Sequence, residues 1–343
     1  MKLRKRPTSS IQHSAFNRKT LFAMLSAMMA VCFCARAAEA GREHASVIVA
    51  VGAAGEEQYG GTFSKWAANW QAAAATGDAR VVTIGAGAEE KENLARLKQA
   101  IESEPKETPA PLWLVLLGHG SFDGREGKFN LRGDDITASE LAKWLAAFRR
   151  PVVVICGFSA SGAFLKPLTA PDRVLVFATK SGAENNFARF GGHISEAIAD
   201  PAADLDKDGQ TSVLEAWLSA AQRVADFYKT EERLATEHSL LDDNGDGLGT
   251  PADWFSGVRL VKRSADQRTP DGVRAHQLHL VPSAAERALP PQVRIERDKV
   301  ERELSTLREA KASMAEEEYF KKLEELMLRL GRLYRAGATP DGS

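Results

Sequence analysis

The sequence predicts an α/β fold, an open and mainly parallel β-sheet between helices, joined to a loop-helix-loop module and a C-terminal helical hairpin. Three observations predict this arrangement. Short runs rich in Val, Ile and Leu alternate with helix-period segments between residues 45 and 200. Acidic residues and glycines recur at fixed offsets between residues 204 and 253, and two amphipathic segments follow residue 290. Apolar strands that alternate with helices are typical of a parallel sheet covered on both faces.

Five strands and four helices are predicted in the α/β part, residues 41–200. The strands are short apolar runs, and the helices repeat apolar residues at three- and four-residue spacing. The predicted strands are Ala45–Gly52, Arg80–Ile84, Leu112–Leu117, Val152–Phe158 and Arg173–Ala178, and the predicted helices are Phe63–Ala75, Lys91–Glu102, Ser139–Phe148 and Phe187–Ala199. Functional groups of open α/β sheets gather at the carboxyl ends of the strands, so we expect the site there.

The first 40 residues have the features of a secretory signal peptide. A basic segment leads into the apolar run Leu21–Cys34, and small residues then allow cleavage after Ala38 or Ala40. The run is short for a membrane span, so we expect no stable span after cleavage. A retained membrane anchor is the alternative. The expected location is therefore exported, either periplasmic or extracellular.

Removal of residues 1–40 changes the charge and the cysteine content. It takes away seven positive charges and one negative charge, which moves the formal net charge from −1 to −7. It also removes Cys32 and Cys34 and leaves Cys156 as the single cysteine, so no internal disulfide is expected. Clustered Lys and Arg are missing from this acidic chain, which argues against nucleic acid as a partner.

The segment DLDKDGQTSVLE has the spacing of an EF-hand calcium loop. Its ligand positions 1, 3, 5, 7 and 12 are filled by Asp204, Asp206, Asp208, Gln210 and Glu215. Gly209 stands at position 6, where the chain turns sharply, and a predicted helix, Val213–Tyr228, follows. A hard cation takes six or seven oxygen ligands, and alternate carboxylates supply them. This loop therefore predicts a Ca²⁺ site, and an acidic surface loop is the alternative.

A second segment, DDNGDGLGTPAD, repeats most of this spacing. Its corresponding positions are Asp242, Asn244, Asp246, Leu248 and Asp253. It departs from the pattern because aspartate at position 12 is shorter than glutamate, and because Pro251 prevents an ordinary exiting helix. We expect a second Ca²⁺ site of looser geometry and lower affinity, or a turn held by Asx hydrogen bonds. Residues 201–262 form the predicted module, with calcium in a structural role.

The C-terminal part is predicted to be a linker and a helical hairpin. A short apolar stretch, Gly257–Val261, is expected to add an edge strand. Lys262–Gln277 is polar and turn-rich, and residues 263–289 are predicted to be a linker. Residues 290–336 contain two amphipathic helices, the second capped by Ser313. The hairpin is expected to pack on the main domain or to support self-association.

Two predicted strands deliver candidate catalytic groups to one edge of the sheet. The third strand ends in GHGSFDG, which places His119 at its carboxyl end. The fourth ends in ICGFSASG, with Ser159 at its tip and Cys156 inside the strand, on the opposite face. A histidine beside a hydroxyl or thiol is the arrangement of a nucleophilic dyad.

These motifs resemble the caspase, legumain and gingipain superfamily of cysteine peptidases. His119-Gly120 is similar to the family's His-Gly, and ASG at residues 160–162 is similar to its Glu-Ser-Gly segment. This register places Ser159 where the family has its catalytic cysteine. The resemblance implies a parallel sheet between helices, a protein or peptide ligand, and a specificity pocket with Glu184 as the candidate group for a basic side chain.

Three functions follow as alternatives. The first is a degenerate, non-catalytic peptidase domain that serves in binding or scaffolding and is stabilised by calcium. The second is an active endopeptidase that uses His119 with Cys156 or Ser159. The third is a calcium-stabilised module of an envelope assembly. A serine hydroxyl is much less acidic than a thiol and needs a positioned base and an oxyanion hole, and the sequence identifies no third group for a triad.

Overall fold

The computed structural model describes residues 44–87, 92–263 and 271–337, and the predicted signal peptide lies outside them. The strands of this part of the chain are β1 (Ser46–Val51), β2 (Arg80–Ile84), β3 (Leu112–Gly118), β4 (Gly120–Phe122), β5 (Gly127–Phe129), β6 (Ile136–Thr137), β7 (Val152–Phe158), β8 (Arg173–Phe177), β9 (Leu240–Asp242), β10 (Thr250–Pro251), β11 (Phe255–Ser256) and β12 (Arg259–Leu260).

A seven-stranded sheet with the order β10-β9-β8-β7-β3-β1-β2 forms the centre of the fold. The five strands predicted from the sequence all belong to it and run parallel to one another. Beyond β8, β9 pairs antiparallel with β8, and β10 pairs antiparallel with β9. The structure is thus a mixed α/β fold with a mostly parallel sheet, and the carboxyl ends of β3 and β7 are neighbours.

Helices cover both faces of this sheet. They are α1 (Glu57–Thr76), α2 (Asn93–Ser103), α3 (Ala138–Leu145), α4 (Leu165–Leu168), α5 (Phe190–Ala197), α6 (Val213–Thr230), α7 (Val273–Gln277), α8 (Ala284–Ala288), α9 (Pro291–Glu309) and α10 (Glu316–Gly337). Among the residues that the structure describes, no helix has both the length and the apolar character to cross a membrane.

The alternation of side chains along the strands creates two separate core layers. Odd-numbered residues of β1 and β3, such as Val49 and Trp113, pack with α1, α5 and α6. Even-numbered residues, such as Ile48 and Leu114, pack with α2, α3 and α4. Successive residues of a strand point to opposite faces, so a strand that is buried on both faces must be apolar throughout.

Several short strands depart from the predicted pattern. β4, β5 and β6 form a small antiparallel sheet that follows His119. The predicted edge strand Gly257–Val261 was wrong as a strand of the main sheet. Instead, β11 and β12 pair with each other in a two-stranded sheet. Gly257 lies between them with φ of +55°, a left-handed conformation that suits a tight hairpin turn.

The segment predicted as a linker contains buried residues and two short helices. Ala275 of α7 and Leu280 join the core layer that contains α6. α7 packs on α9, and α9 packs on α10 to form the helical hairpin. The salt bridge between Arg297 of α9 and Glu286 of α8 attaches this hairpin to the same segment. The C-terminal helices therefore pack on the segment that was predicted to be a linker.

Candidate functional site

His119 lies directly after β3, at the carboxyl edge of the sheet. Its imidazole makes edge contacts with the rings of Tyr59, Phe63 and Phe187, at centroid distances of 5.0, 5.2 and 6.0 Å. Burial lowers the pKa of His119, and a hydrogen bond with the backbone of Ala54 opposes this effect. The neutral imidazole is therefore the favoured form in this aromatic environment.

Ser159 lies beside His119 in the sheet, but its hydroxyl is bound elsewhere. Ser159 Oγ accepts a hydrogen bond from the amide of Gly120 and donates one to the carbonyl oxygen of the same residue, both at 3.1 Å. The side chain is buried. A Cβ at position 120 would lie 2.4 Å from the Ser159 carbonyl oxygen, so glycine is required here. The His-Gly sequence thus allows the two strand ends to approach closely.

Cys156 is enclosed within β7 and points into the opposite core layer. It is 0% exposed and packs in the cluster that contains Leu114 and Phe158. Burial raises the pKa of the Cys156 thiol. A nucleophilic cysteine needs access to substrate and a stabilised thiolate, and this environment opposes both. The structure brings His119 and Ser159 to one edge and leaves Cys156 beneath it.

Glu184 is held by a network of hydrogen bonds next to this edge. Its carboxylate accepts hydrogen bonds from the backbone amides of Lys180 and His238, at 2.9 and 3.2 Å. It also bonds the imidazole of His238 and lies 3.6 Å from the ammonium group of Lys180. The basic partner of Glu184 in this structure is therefore supplied by the chain itself.

The loop Asp204–Glu215 precedes α6, as the sequence predicts. Carboxylate oxygens of Asp204, Asp206 and Asp208 lie within 4.8 Å of one another. Asp204 Oδ1 and Oδ2 accept hydrogen bonds from the amides of Lys207 and Gly209 at 2.7 and 3.1 Å. These bonds curl the loop around its acidic side chains, and Gly209 has the left-handed φ of +90° that this turn requires.

Glu215 connects this loop to α6. One carboxylate oxygen accepts from the amide of Leu205 at 2.8 Å, and the other from the amide of Ser212 at 2.9 Å. The Ser212 hydroxyl in turn accepts from the Glu215 amide, which completes a capping box. The position that would supply the last calcium ligand therefore also fixes the start of the helix.

His276 of α7 joins the first loop from outside the motif. Its Nε2 atom lies 2.9 Å from Asp206 Oδ2, and the two groups lie within 4.8 Å of a Glu215 oxygen. Further along the same segment, the amide of Ser283 donates to the side-chain oxygen of Gln210 at 3.0 Å. The segment predicted as a linker thus contacts the loop at two of its candidate ligand positions.

The second loop lies between β9 and the edge strand β10 rather than between helices. Asp242 ends β9, and its oxygens accept from the amides of Gly245 and Gly247 at 3.1 and 3.2 Å. Asn244 accepts from the amide of Asp246 at 2.8 Å, and Asp246 accepts from that of Leu248 at 2.8 Å. These are the Asx-type bonds that stabilise turns.

Asp253 differs from the other candidate ligands of the second loop. Its side chain is 68% exposed, and it pairs with Lys262 Nζ at 2.6 Å. It lies in the short 3₁₀ turn Ala252–Trp254 that follows β10. The proline at position 251 and the edge strand keep this part of the chain from continuing as the exiting helix of an EF-hand.

Two buried carboxylates support the second loop and were not anticipated from the sequence. Asp271 accepts hydrogen bonds from the amides of Asp243 and Asn244 and from the Thr250 hydroxyl, at 2.8, 3.1 and 2.6 Å. Asp243 accepts from the amides of Gly272 and Ala275 at 3.0 and 2.8 Å. Burial, together with the charge of Asp243, raises the pKa of Asp271 to about 8.

Sequence spacing had no means of finding these supporting residues. His276 lies 70 residues after Asp206, and Asp271 lies 28 residues after Asp243. Phe187 was visible only as an apolar member of a predicted helix, and Tyr59 precedes the predicted helix Phe63–Ala75. A weak signal existed for Asp271, because the pair Asp-Gly at residues 271–272 marks a turn.

Comparison with known proteins identifies structural neighbours and no sequence match. No protein-family model matches the chain, and no curated protein matches it. The structure is similar to the crystal structure of the Drosophila initiator caspase Dronc, with a TM-score of 0.41, 11% identity, and coverage of 61% of this chain and 81% of that one. It is also similar to caspase-1 from Spodoptera frugiperda, with a TM-score of 0.38, 12% identity, and coverage of 59% and 86%.

Proposed function

We propose that this chain is an exported calcium-binding protein whose peptidase-like α/β domain serves in binding or scaffolding rather than in catalysis. The observation that carries the proposal is the convergence of Asp204, Asp206 and Asp208, whose carboxylate oxygens lie within 4.8 Å of one another. These residues occupy loop positions that supply calcium ligands in an EF-hand.

The chemistry of the first loop suits a hard divalent cation. Three carboxylates, the Gln210 carbonyl and Glu215 offer oxygen ligands, and Ca²⁺ takes six to eight of them in a flexible geometry. A Glu215 oxygen also lies within 4.8 Å of Asp206. The negative charges of several close carboxylates repel one another in the folded loop, and a bound cation relieves this repulsion. The first loop is therefore the principal site of the proposal.

The second loop is proposed as a weaker site. Asp242, Asn244 and Asp246 remain candidate ligands together with the Leu248 carbonyl, but the Asp253 carboxylate pairs with Lys262. A site without the carboxylate at loop position 12 has fewer charged oxygen ligands. Its affinity for Ca²⁺ is therefore lower. We therefore expect this loop to bind calcium only at concentrations well above those that fill the first loop.

The non-catalytic part of the proposal rests on the state of the candidate nucleophiles. The Cys156 thiol is buried in the core. The Ser159 hydroxyl exchanges both of its hydrogen bonds with Gly120 rather than with the His119 imidazole. Activation of a serine requires a base in hydrogen-bond reach. A domain of this kind offers loops at its carboxyl edge for protein or peptide contacts without the chemistry of hydrolysis.

A thermal melt with calcium and with chelator tests the calcium site. An ion that binds the folded state alone raises the free energy of unfolding by about 2.7 kcal/mol at a hundred times its Kd. We expect calcium to raise the melting temperature, and Asp204→Ala to abolish most of this increase. Asp253→Ala is the matched control and keeps the increase, because Asp253 pairs with Lys262 outside the loop. No calcium effect on the wild-type protein would overturn the proposal.

A further inference from the structure

Helix α10 carries an apolar stripe that the described part of the chain, residues 44–87, 92–263 and 271–337, leaves exposed. Tyr319 and the partly buried Leu326 and Leu333 lie on the side that packs on α9. Phe320, Met327 and Tyr334, at intervals of seven residues, are 50%, 49% and 51% exposed. Residues seven apart lie almost above one another on a helix, so these three side chains form a line beside the packed face, with the exposed Glu324 between Phe320 and Met327.

The centre of this stripe is open to close approach by another helix. Gly331 lies on the same line as Met327 and Tyr334, and a Cβ at this position would meet nothing within 4 Å. The Tyr334 hydroxyl bonds Glu301 of α9 at 3.2 Å, which fixes the ring at the edge of the stripe. A flat apolar line that ends in two aromatic rings fits a second amphipathic helix.

The charges of α10 select the partner and its direction. Residues 316–326 contain five glutamates and two lysines, whereas residues 327–335 contain three arginines and no acidic residue. An antiparallel copy of the same helix would place each acidic half beside a basic half, whereas a parallel copy would place like charges together. A second copy of this chain would therefore cover the apolar stripe and place opposite charges side by side.

We propose that α10 pairs with α10 of a second copy, antiparallel, around a two-fold axis at Met327. In this arrangement Phe320 of each copy faces Tyr334 of the other. The same surface is used on both sides, as is usual in two-fold dimers. This dimer does not depend on the calcium loops or on the sheet edge, and its failure would leave the proposed function unaffected.

Molar mass measured by light scattering over about a hundredfold concentration range tests the dimer, because association follows mass action. We expect the protein to dimerise with increasing concentration and Met327→Glu to remain a monomer with unchanged circular dichroism. Leu328→Glu is the matched control, because Leu328 is 50% exposed but lies about 100° around the helix. It is expected to dimerise like the wild type. A wild-type monomer throughout, or equal behaviour of the two variants, would overturn the proposal.

Engineered cysteines test the direction of the pair, in protein whose Cys32 and Cys34 are replaced by Ser. Phe320→Cys and Tyr334→Cys variants are expected to form a disulfide when mixed. Each variant alone is expected to form none, because in the antiparallel pair its two thiols lie about 20 Å apart. Disulfide formation by Phe320→Cys alone would indicate a parallel pair and would refute the proposed geometry.

Discussion

At the scale of single residues, Cys156 has a thiol that burial prevents from acting as a nucleophile. The thiol belongs to β7 and its neighbours are core side chains such as Leu114 and Phe158. A buried thiol ionises with difficulty, because the low-dielectric core disfavours the thiolate. Its properties are those of a small apolar residue.

Thiol labelling tests this assignment and the alternative of an active cysteine peptidase together. We expect iodoacetamide to leave Cys156 unmodified in the folded protein and to modify it fully in denaturant, as measured by the mass of the peptide that contains it. The denatured sample controls for the competence of the reagent. Labelling of Cys156 in the folded protein would favour the peptidase alternative, because only an accessible thiolate reacts readily.

His119 makes a contribution to the pH dependence of stability whose sign is fixed by its environment. Burial lowers its pKa from the ordinary value of 6.5. Just below this value the unfolded chain therefore binds more protons than the folded protein, and the free energy of unfolding falls as the pH falls. This loss continues until the pH passes the folded-state pKa of His119.

Replacement of His119 by Phe removes the titration and keeps an aromatic ring beside Tyr59 and Phe63. We expect His119→Phe to lose less stability than the wild type between about pH 7 and pH 5, as measured by urea unfolding. The slope does not vanish, because burial also lowers the pKa of His193 and His279. Identical slopes in the two proteins would contradict the environment described for His119.

The positions of these residues could be predicted, whereas their surroundings could not. Strand patterning placed His119 and Ser159 at the ends of neighbouring strands, because a buried strand is recognisable from its apolar run. The hydrogen bonds of Ser159 to Gly120 depend on the register between β3 and β7, in which Gly118 pairs with Phe158. A single sequence contains no direct record of that register.

At the scale of elements, residues 271–283 act as a brace for both acidic loops. Asp271 bonds the backbone of the second loop. His276 lies against Asp206 of the first loop, and the carbonyl oxygen of Leu278 accepts from the Val213 amide at the start of α6, at 2.9 Å. The two loops are therefore connected through a third segment as well as through α6.

Substitution of Asp271 tests the role of this brace. Asp271→Ala leaves two buried amides and one buried hydroxyl without their hydrogen-bond acceptor. Each unsatisfied buried group lowers the free energy of unfolding by about 1–3 kcal/mol. We expect a clear decrease in the melting temperature of the calcium-free protein, measured by circular dichroism. Asp271→Asn is the matched control and is expected to lose less, because the amide oxygen still accepts a hydrogen bond. Equal melting temperatures for Asp271→Ala and the wild type would contradict a bracing role.

Elements were predictable in proportion to their length and periodicity. The five parallel strands and the helices around them have long apolar patterns, and all are present. β4, β5 and β6 contain two or three residues each, and their pairing depends on contacts with one another rather than on local pattern. The polar segment 271–283 was mistaken for a connection because its buried residues, Asp271, Gly272, Ala275 and Leu280, form no apolar run or helical period.

At the scale of the whole molecule, the loop region shares its core with the sheet. Val213 and Trp217 of α6 lie in the same buried cluster as Val49 of β1 and Trp113 of β3. β9 and β10, which flank the second loop, belong to the main sheet. The sequence predicted a separate module at residues 201–262, because a change in composition is visible along the chain whereas a common core is not.

This shared core predicts that calcium stabilises the sheet as well as the loops. We expect calorimetry to show one unfolding transition that calcium shifts upward by about 4 °C at a hundred times Kd. Near-ultraviolet signals of Trp70 and Trp113, which lie in the α1 and β3 part of the core, should shift together with the far-ultraviolet signal. An independent module would instead give two transitions, of which calcium moves only one. That result would mean that the contacts of α6 with the sheet contribute little to the stability of the fold.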